Sequence, residues 1–424
     1  MSKISIKIKR LLKKEKYIVV GEKKYLERIL ENFKNLNKYI EFIIDEEGFE
    51  NETYLEKPIV KYNILYTKDY SKYKFVIFNP NTRKNAIKKL TKNYKIPRQN
   101  IIYGSEWLLH ILKTYKKVLI RPTALRIDIC SKCQLNCVAC YMRIDNYGTV
   151  GKGYMKFEKY KEIIDKYPFI KEVEISNNGE PFLNPDIKKI LEYSYEKNVS
   201  IVVDNGTNFN YVPNDVLEAI AKYKVKRIAL SIDGASNTTY KQYRVNGDFN
   251  VVMDNVKKLN NYKEKYNKGE DIPYINWKYV LMEHNENEVE KAIRMAKDLK
   301  LHMYFCLDWR GFTPKNPQKM KELTGIDFLY KGKPTLYPEF CLFMLRSPQI
   351  NWDGRLLGCC MTYKTDWKKN IFTDGLIESL NSEYYRHAIY KLLGDKTDYG
   401  ETNQCTDNCY TYRDFISKGE YLDL

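Results

Sequence analysis

The chain has 424 residues, 43% of them hydrophobic, and a formal net charge of +18. That size predicts two or three domains with real cores and excludes a chain too polar to pack. No signal-peptide pattern and no run of 18 apolar residues occurs, so a soluble cytoplasmic protein with no membrane role is expected.

The positive charge alone does not argue for nucleic acid, because the lysines are scattered in small clusters such as Lys13-Lys14 and Lys368-Lys369. Solvated surface charge is the expectation, and attraction to an anionic substrate such as a nucleotide sugar is the alternative. Ten cysteines in a large chain without an export pattern point to metal ligands rather than disulfides.

Residues 1–118 read as a Rossmann-like α/β domain of unassigned role. Lys16–Val20, Ile40–Ile44 and Phe75–Phe78 are strand-like, and Leu26, Ile29, Leu30, Phe33 and Leu36 recur at helical spacing. Ile87, Leu90 and Tyr94 mark another helix. Alternating strand and helix implies a parallel sheet. Only Gly21 stands where a G-x-G-x-x-G loop would cradle a pyrophosphate, so no dinucleotide site is inferred.

Residues 119–310 hold six strand-like runs: Leu125–Ile129, Glu172–Ser176, Val199–Val203, Arg227–Ile232, Ile275–Met282 and Met303–Leu307. Helical stretches separate them, including Asp186–Lys197, Pro213–Tyr223, Phe249–Tyr262 and Glu286–Leu299. Six βα units make a partial (β/α)6 barrel, with chemistry expected at the C-terminal ends of its strands. Residues 311–424 read as a third, small domain. Pro and Lys near 314–338 suggest a linker, and cysteines return at Cys341, Cys359, Cys360, Cys405 and Cys409.

The chemistry concentrates just after the first barrel strand, where Cys133, Cys137 and Cys140 form a C-x3-C-x2-C triplet. Three thiolates can hold three irons of a four-iron cluster and leave the fourth open, whereas closed cubanes use four cysteines. Zinc sites usually pair thiols as C-x2-C or with His, and no His stands beside the triplet.

This arrangement resembles the radical S-adenosylmethionine (SAM) superfamily. The resemblance implies that SAM chelates the open iron through its amino and carboxylate groups, and that one electron cleaves it to a 5′-deoxyadenosyl radical. Asn178-Gly179-Glu180-Pro181 stands where the family has Gly-Gly-Glu-Pro, the segment that holds the methionine amino group. By the same resemblance Asp204 and Asn205 are candidate ribose contacts, and Ser231 and Arg244 would face the SAM carboxylate. A surface ion pair is the alternative for Arg244. The family usually has an aromatic residue before its third cysteine; here that position is Ala139, with Tyr141 just after, so the adenine pocket is expected to be lined differently.

The C-terminal cysteines are similar to the SPASM/twitch type of extension. That implies one auxiliary cluster on Cys341, Cys359, Cys405 and Cys409, with Cys360 the rival to Cys359 and a structural zinc the alternative. The implied cofactors are two 4Fe-4S clusters and S-adenosyl-L-methionine. Cys130 reads as a packed core thiol. Cys306 is a candidate hydrogen-atom donor, or an inert buried thiol. Asp308 and Arg310 could bind or deprotonate substrate, or form ordinary ion pairs.

The implied activity is that of a radical SAM oxidoreductase carrying out oxidation or epimerisation of a sugar-like small molecule. Its electron donor would be a low-potential protein such as flavodoxin or ferredoxin. The alternative is a peptide or protein maturase that modifies or crosslinks side chains.

Overall fold

Apolar four- and five-residue runs set the first sheet. The computed structural model describes residues 16–47, 52–79, 82–308, 312–326, 341–359 and 367–400. The first strands are β1 (Tyr17–Val20), β2 (Phe33–Lys34), β3 (Ile40–Ile44) and β4 (Thr53–Tyr54). They are followed by β5 (Lys57–Val60), β6 (Lys74–Ile77), β7 (Ile101–Tyr103) and β8 (Leu119–Ile120). Six of them form a sheet in the order β4-β5-β3-β1-β6-β7, parallel except for the β4–β5 pair. Counting the parallel strands alone, the order is third, second, first, fourth, fifth. That is the doubly wound, Rossmann-like order expected from the alternation.

Helices α1 (Lys23–Leu30), α2 (Arg83–Lys88) and α3 (Gly104–Thr114) accompany this sheet. α1 buries Leu26, Ile29 and Leu30 and then stops, because the Asn32 side chain donates to the carbonyls of Arg28 and Ile29. Phe33 and Leu36, which extend the helical spacing in the sequence, lie instead in β2 and in a short 3-10 turn entered through Asn35 at φ 68°.

The second sheet starts with β9 (Ala124–Ile127), β10 (Glu172–Glu174), β11 (Ser200–Thr207) and β12 (Arg227–Ser231). It continues with β13 (Tyr274–Leu281), β14 (His302–Leu307), β15 (Gln349–Ile350) and β16 (Leu356–Gly358). Strands β9 to β14 lie side by side in chain order and are all parallel. Helices α4 (Phe157–Lys166), α5 (Ile187–Glu196), α6 (Asn214–Lys222), α7 (Asn237–Tyr243), α8 (Phe249–Tyr266) and α9 (Val289–Asp298) connect them. This is the expected partial (β/α)6 barrel.

β13 makes its two faces plain. Ile275, Trp277, Tyr279 and Leu281 are fully buried, and Trp277 meets Phe249 of α8. The alternate residues Asn276 and Lys278 are only half-buried and face the lumen.

The chain divides differently from the three-domain expectation. Among the described residues, one unit comprises those up to 122 with 341–347 and 375–400; the other comprises 123–326 and 348–374. The 118/119 boundary moves because β8 pairs with β2. The described residues between 312 and 400 form no separate third unit, because they bond into the other two through the backbone of β15 and the side chain of Arg386. β15 pairs in parallel with β9, matching Gln349 with Arg126 and Ile350 with Ile127. Within the first unit, Arg386 of a helix at Glu383–Leu392 donates to the carbonyls of Leu112 and Val118 at the end of α3. The expected linker near 314–338 contains a helix, Pro317–Thr324, capped by Asn316 and buried at Met320.

Candidate functional site

The segment after β9 is held from three sides. Asn136 N donates to Val245 O at 2.9 Å and Val138 N to Tyr243 O at 3.1 Å, so the cysteine loop is clipped to the chain leaving α7. Ser131 binds the 151–153 loop through Ser131 Oγ to Gly151 O (2.8 Å) and Gly153 N to Ser131 Oγ (2.9 Å). That loop is itself packed by the β15–β16 hairpin: Trp352 Nε1 donates to Val150 O at 3.0 Å, and a Cβ on Gly153 would lie 2.5 Å from the Trp352 ring. The β15–β16 hairpin therefore braces the cysteine loop, a role the sequence pattern did not suggest.

Cys133, Cys137 and Cys140 all carry thiols that make no disulfide, with Cys137 buried and the other two half-buried. Burial raises the Cys133 thiol to about 12, and the negative charges of Glu180, Cys137 and Cys140 add to the rise. Burial also raises Cys137, opposed by the Arg244 guanidinium. Among the described residues no three His, Cys, Asp or Glu converge as they would on a single ion. That is compatible with a cubane, in which each thiolate meets a different iron.

Two N–H donors already point at the sulfurs. Asn208 Nδ2 lies 3.6 Å from Cys133 Sγ, and an Arg244 Nη lies 3.7 Å from Cys137 Sγ. Donors of this kind stabilise thiolates and tune a cluster. The residues present fit the group: Cys133, Cys137 and Cys140 would hold it.

The loop after β10 is packed onto the same backbone. Gly179 sits at φ 75°, and a Cβ there would lie 2.4 Å from Cys130 O and 2.5 Å from Ser131 C. Only glycine allows that approach. Asn178 donates from N (2.9 Å) and Nδ2 (2.5 Å) to the buried Asp128 carboxylate, so its side chain anchors the loop. Glu180 is also buried. Its oxygens accept from Thr207 Oγ1 (2.5 Å) and Asn208 N (2.8 Å), and its N donates to Lys132 O. Burial pushes its carboxyl up to about 7. Glu180 thus ties the ends of β10 and β11 to the cysteine loop. Pro181 is buried at the start of a 3-10 turn.

Within β11, Asp204 pairs with Arg227 through two hydrogen bonds of 3.1 and 2.7 Å. Asn205 donates to Glu174 and, at 2.7 Å, to Asn177 Oδ1. At the end of β12, Ser231 is buried against Gly206, where a Cβ would lie 2.3 Å from Ser231 Oγ. Arg244 is neither on the surface nor uncommitted. Its Nε and one Nη grip the fully buried Asp233 at 2.7 and 2.6 Å, which leaves the other Nη for Cys137.

The sequence matches the Radical SAM superfamily over residues 127–296, the span from the end of β9 into α9. The chain carries a radical SAM domain.

Curated relatives agree on the family and differ in what they do. The chain is 27% identical over 192 residues to an AdoMet-dependent heme synthase of Methanosarcina barkeri, covering 44% of this chain and 51% of that protein. It therefore spans about half of that relative's length. It is 22% identical over 318 residues to the tungsten-containing aldehyde ferredoxin oxidoreductase cofactor-modifying protein of Pyrococcus furiosus, covering 69% of this chain and 83% of that one. Among solved structures, Streptococcus suis SuiB bound to S-adenosylmethionine superposes with a TM-score of 0.52 at 15% identity, over 78% of this chain and 82% of SuiB. That likeness concerns the fold.

The remaining candidates divide around this radical SAM domain. Cys306 joins it: Cys137, Ala139, Tyr243, Val280 and Met282 form one apolar cluster, against which Cys140 and Cys306 pack. Asp308 is buried just past the end of β14. Cys130 is fully buried, as a core thiol should be. Tyr141 packs toward Met142, Val150 and Leu357, on the braced side of the loop.

Cys341 lies in the first unit and Cys359, buried at the end of β16, in the second. Cys360, Cys405, Cys409 and Arg310 lie outside the described residues. Sequence reasoning missed Asp128, Glu174, Thr207 and Asn208, the partners that fix the motif residues. Their signal was available as charged or polar residues interrupting apolar strand runs, as in Leu125-Arg-Ile-Asp128 and Glu172-Val-Glu174.

Proposed function

We propose that this radical SAM enzyme is an oxidoreductase that removes a hydrogen atom from a carbohydrate-type substrate and completes an oxidation or an epimerisation. The observation that carries this reading is the packing of Cys306 into the apolar cluster that also contains Cys137 and Cys140. When bound, the cluster and SAM together supply the 5′-deoxyadenosyl radical that takes the first hydrogen atom.

The chain's own residues then set the outcome. Burial keeps the Cys306 thiol protonated, up to about 11, so it holds a hydrogen atom to return to a carbon radical. Return to the opposite face gives an epimer, and the resulting thiyl is restored by an electron and a proton from outside. Asp308, buried just past β14, would accept a hydroxyl proton when the outcome is a carbonyl. That outcome needs an electron acceptor, which a second cluster on Cys341, Cys359, Cys405 and Cys409 would supply. A low-potential donor such as flavodoxin or ferredoxin and a cytoplasmic location belong to the same proposal. Among the described residues no helix is long and apolar enough to cross a membrane.

The test uses anaerobically reconstituted, reduced protein with SAM and carbon-deuterated aminocyclitols, hexoses and sugar nucleotides. Deuterium should appear in 5′-deoxyadenosine. Transfer from none of them rejects the carbohydrate class. A cluster spectrum indifferent to SAM rejects the enzyme reading itself. Substituting Cys306→Ala should abolish solvent-hydrogen incorporation into an epimer while leaving substrate deuterium transfer in place.

A further inference from the structure

Among the described residues, several charged groups around the lumen are already engaged. Asp204 holds Arg227, Asp233 holds Arg244, Glu180 accepts from Thr207 and Asn208, and Glu174 accepts from Ser176 and Asn205. Lys278 of β13 faces the same lumen. Its Nζ donates to the Asn205 carbonyl at 3.0 Å, and among the described residues no carboxylate lies within ion-pair distance of it. A half-buried ammonium bonded to a single neutral carbonyl has lost hydration without gaining a counter-charge.

The surroundings suit an anion. Ser231 of β12 and Tyr304 of β14 are the register partners of Lys278, so their side chains share its face. Cys306 feels the Lys278 charge. We propose that Lys278 anchors an anionic group of the substrate, a carboxylate or phosphate, in the lumen of the partial barrel.

The SAM carboxylate, which the family resemblance sets at the open iron with Ser231 nearby, is the rival source, and the SAM arm of the experiment below separates the two. The β13 residue that touches the cysteine cluster is Val280, two positions further along. Lys278 therefore lies about 7 Å deeper along the strand, at about 3.3 Å per residue. An anionic group held there would set the substrate beneath the cysteine loop, with its reacting carbon toward Cys306. The inference rests on the radical SAM reading of the Cys133, Cys137 and Cys140 loop and narrows its substrate to an anionic one.

The experiment is competitive labelling of the reconstituted full chain with trace acetic anhydride, read residue by residue by mass spectrometry. Lys257, exposed on α8, is the internal reference. Labelling is run with no addition, with SAM, with succinate, and with inorganic phosphate. Succinate or phosphate at a few times its dissociation constant should slow Lys278 labelling by about fivefold, with Lys257 unchanged. In Lys278→Arg, isothermal titration should still detect the protecting anion, and in Lys278→Met it should not.

Equal behaviour of Lys278 and Lys257 under both anions overturns the inference. So does full protection by SAM alone, which would make Lys278 a SAM contact. The cluster's spectral response to SAM is recorded on the same samples. A response without anion protection sinks only the Lys278 assignment, and no response sinks the enzyme reading and this inference together.

Discussion

β1 of the first sheet is buried at all four positions, Tyr17 through Val20, whereas β13 of the second alternates between half-buried and fully buried residues from Tyr274 to Tyr279. Both strands have parallel neighbours on either side, so the hydrogen-bond ladder does not account for the difference. The first sheet has apolar side chains on both faces of its central strand, as a doubly covered sheet requires. The second packs its helices on one face only and keeps Arg126, Glu174, Ser231 and Lys278 on the other. A sheet pays for an inward polar face unless something meets it. Here the cysteine loop, a network of buried partners and, by inference, a substrate meet it.

The largest expected effect is confined to the second sheet. Cys137→Ser should lower iron content and cut SAM cleavage by about 100-fold or more, beyond the range for losing an outer-shell partner. Iron and sulfide assays with 5′-deoxyadenosine quantitation check this. Next comes the buried ion pair. Arg244→Met leaves Asp233 buried and uncompensated, a loss of about 3–5 kcal/mol that urea denaturation of the apo protein would measure. It also removes a donor from Cys137 Sγ, so the spectrum of the reconstituted cluster should shift.

Two glycine substitutions sharpen the contrast. Gly179→Ala forces a Cβ toward Cys130 O at φ 75°, and should cost about 1–3 kcal/mol and reduce cluster loading. Gly104→Ala pushes a Cβ to 2.3 Å from the Phe78 ring in the first unit. It should cost about 1–3 kcal/mol as overpacking while leaving the SAM-induced spectral change intact. If Gly104→Ala abolished that response, the two sheets would not be functionally separate.

The smallest effect is a pH slope. Burial pushes the Asp128 carboxyl up to about 7, so the folded chain keeps a proton that the unfolded chain releases near 3.8. The folded state then binds more protons between those values, and stability falls as pH rises from about 4 to about 7 and levels above. Asp128→Asn should flatten the urea midpoint between about pH 5 and 7. A residual slope from Glu180, raised in the same direction, should remain.

Much of this was legible in the linear chain. The six barrel strands lie within a few residues of the expected runs, because each is a short apolar segment followed by a helical repeat. The triplet was legible because metal-ligand spacing is local. Arg244 was only half legible. Its place after the fourth strand follows from the sequence, and Asp233 is only 11 positions away, but its donation to Cys137 comes from a fold that joins residues 107 positions apart. The bracing role of the β15–β16 hairpin was not legible, because it too joins residues far apart in the chain. Its cysteines drew attention, while Trp352 and Ile350, which brace the loop after β9, carry no motif.

Sequence alone determined which residues can bind a metal and which strands can form, since both depend on residue type and short-range spacing. Tertiary structure decided which polar residues are already partnered. Pairing of Glu180 with Thr207 and of Asp128 with Asn178 depends on distances across neighbouring strands, and strand neighbours are set by the whole sheet. What those pairings leave over, the Lys278 ammonium in the lumen, could be found only by subtraction in three dimensions.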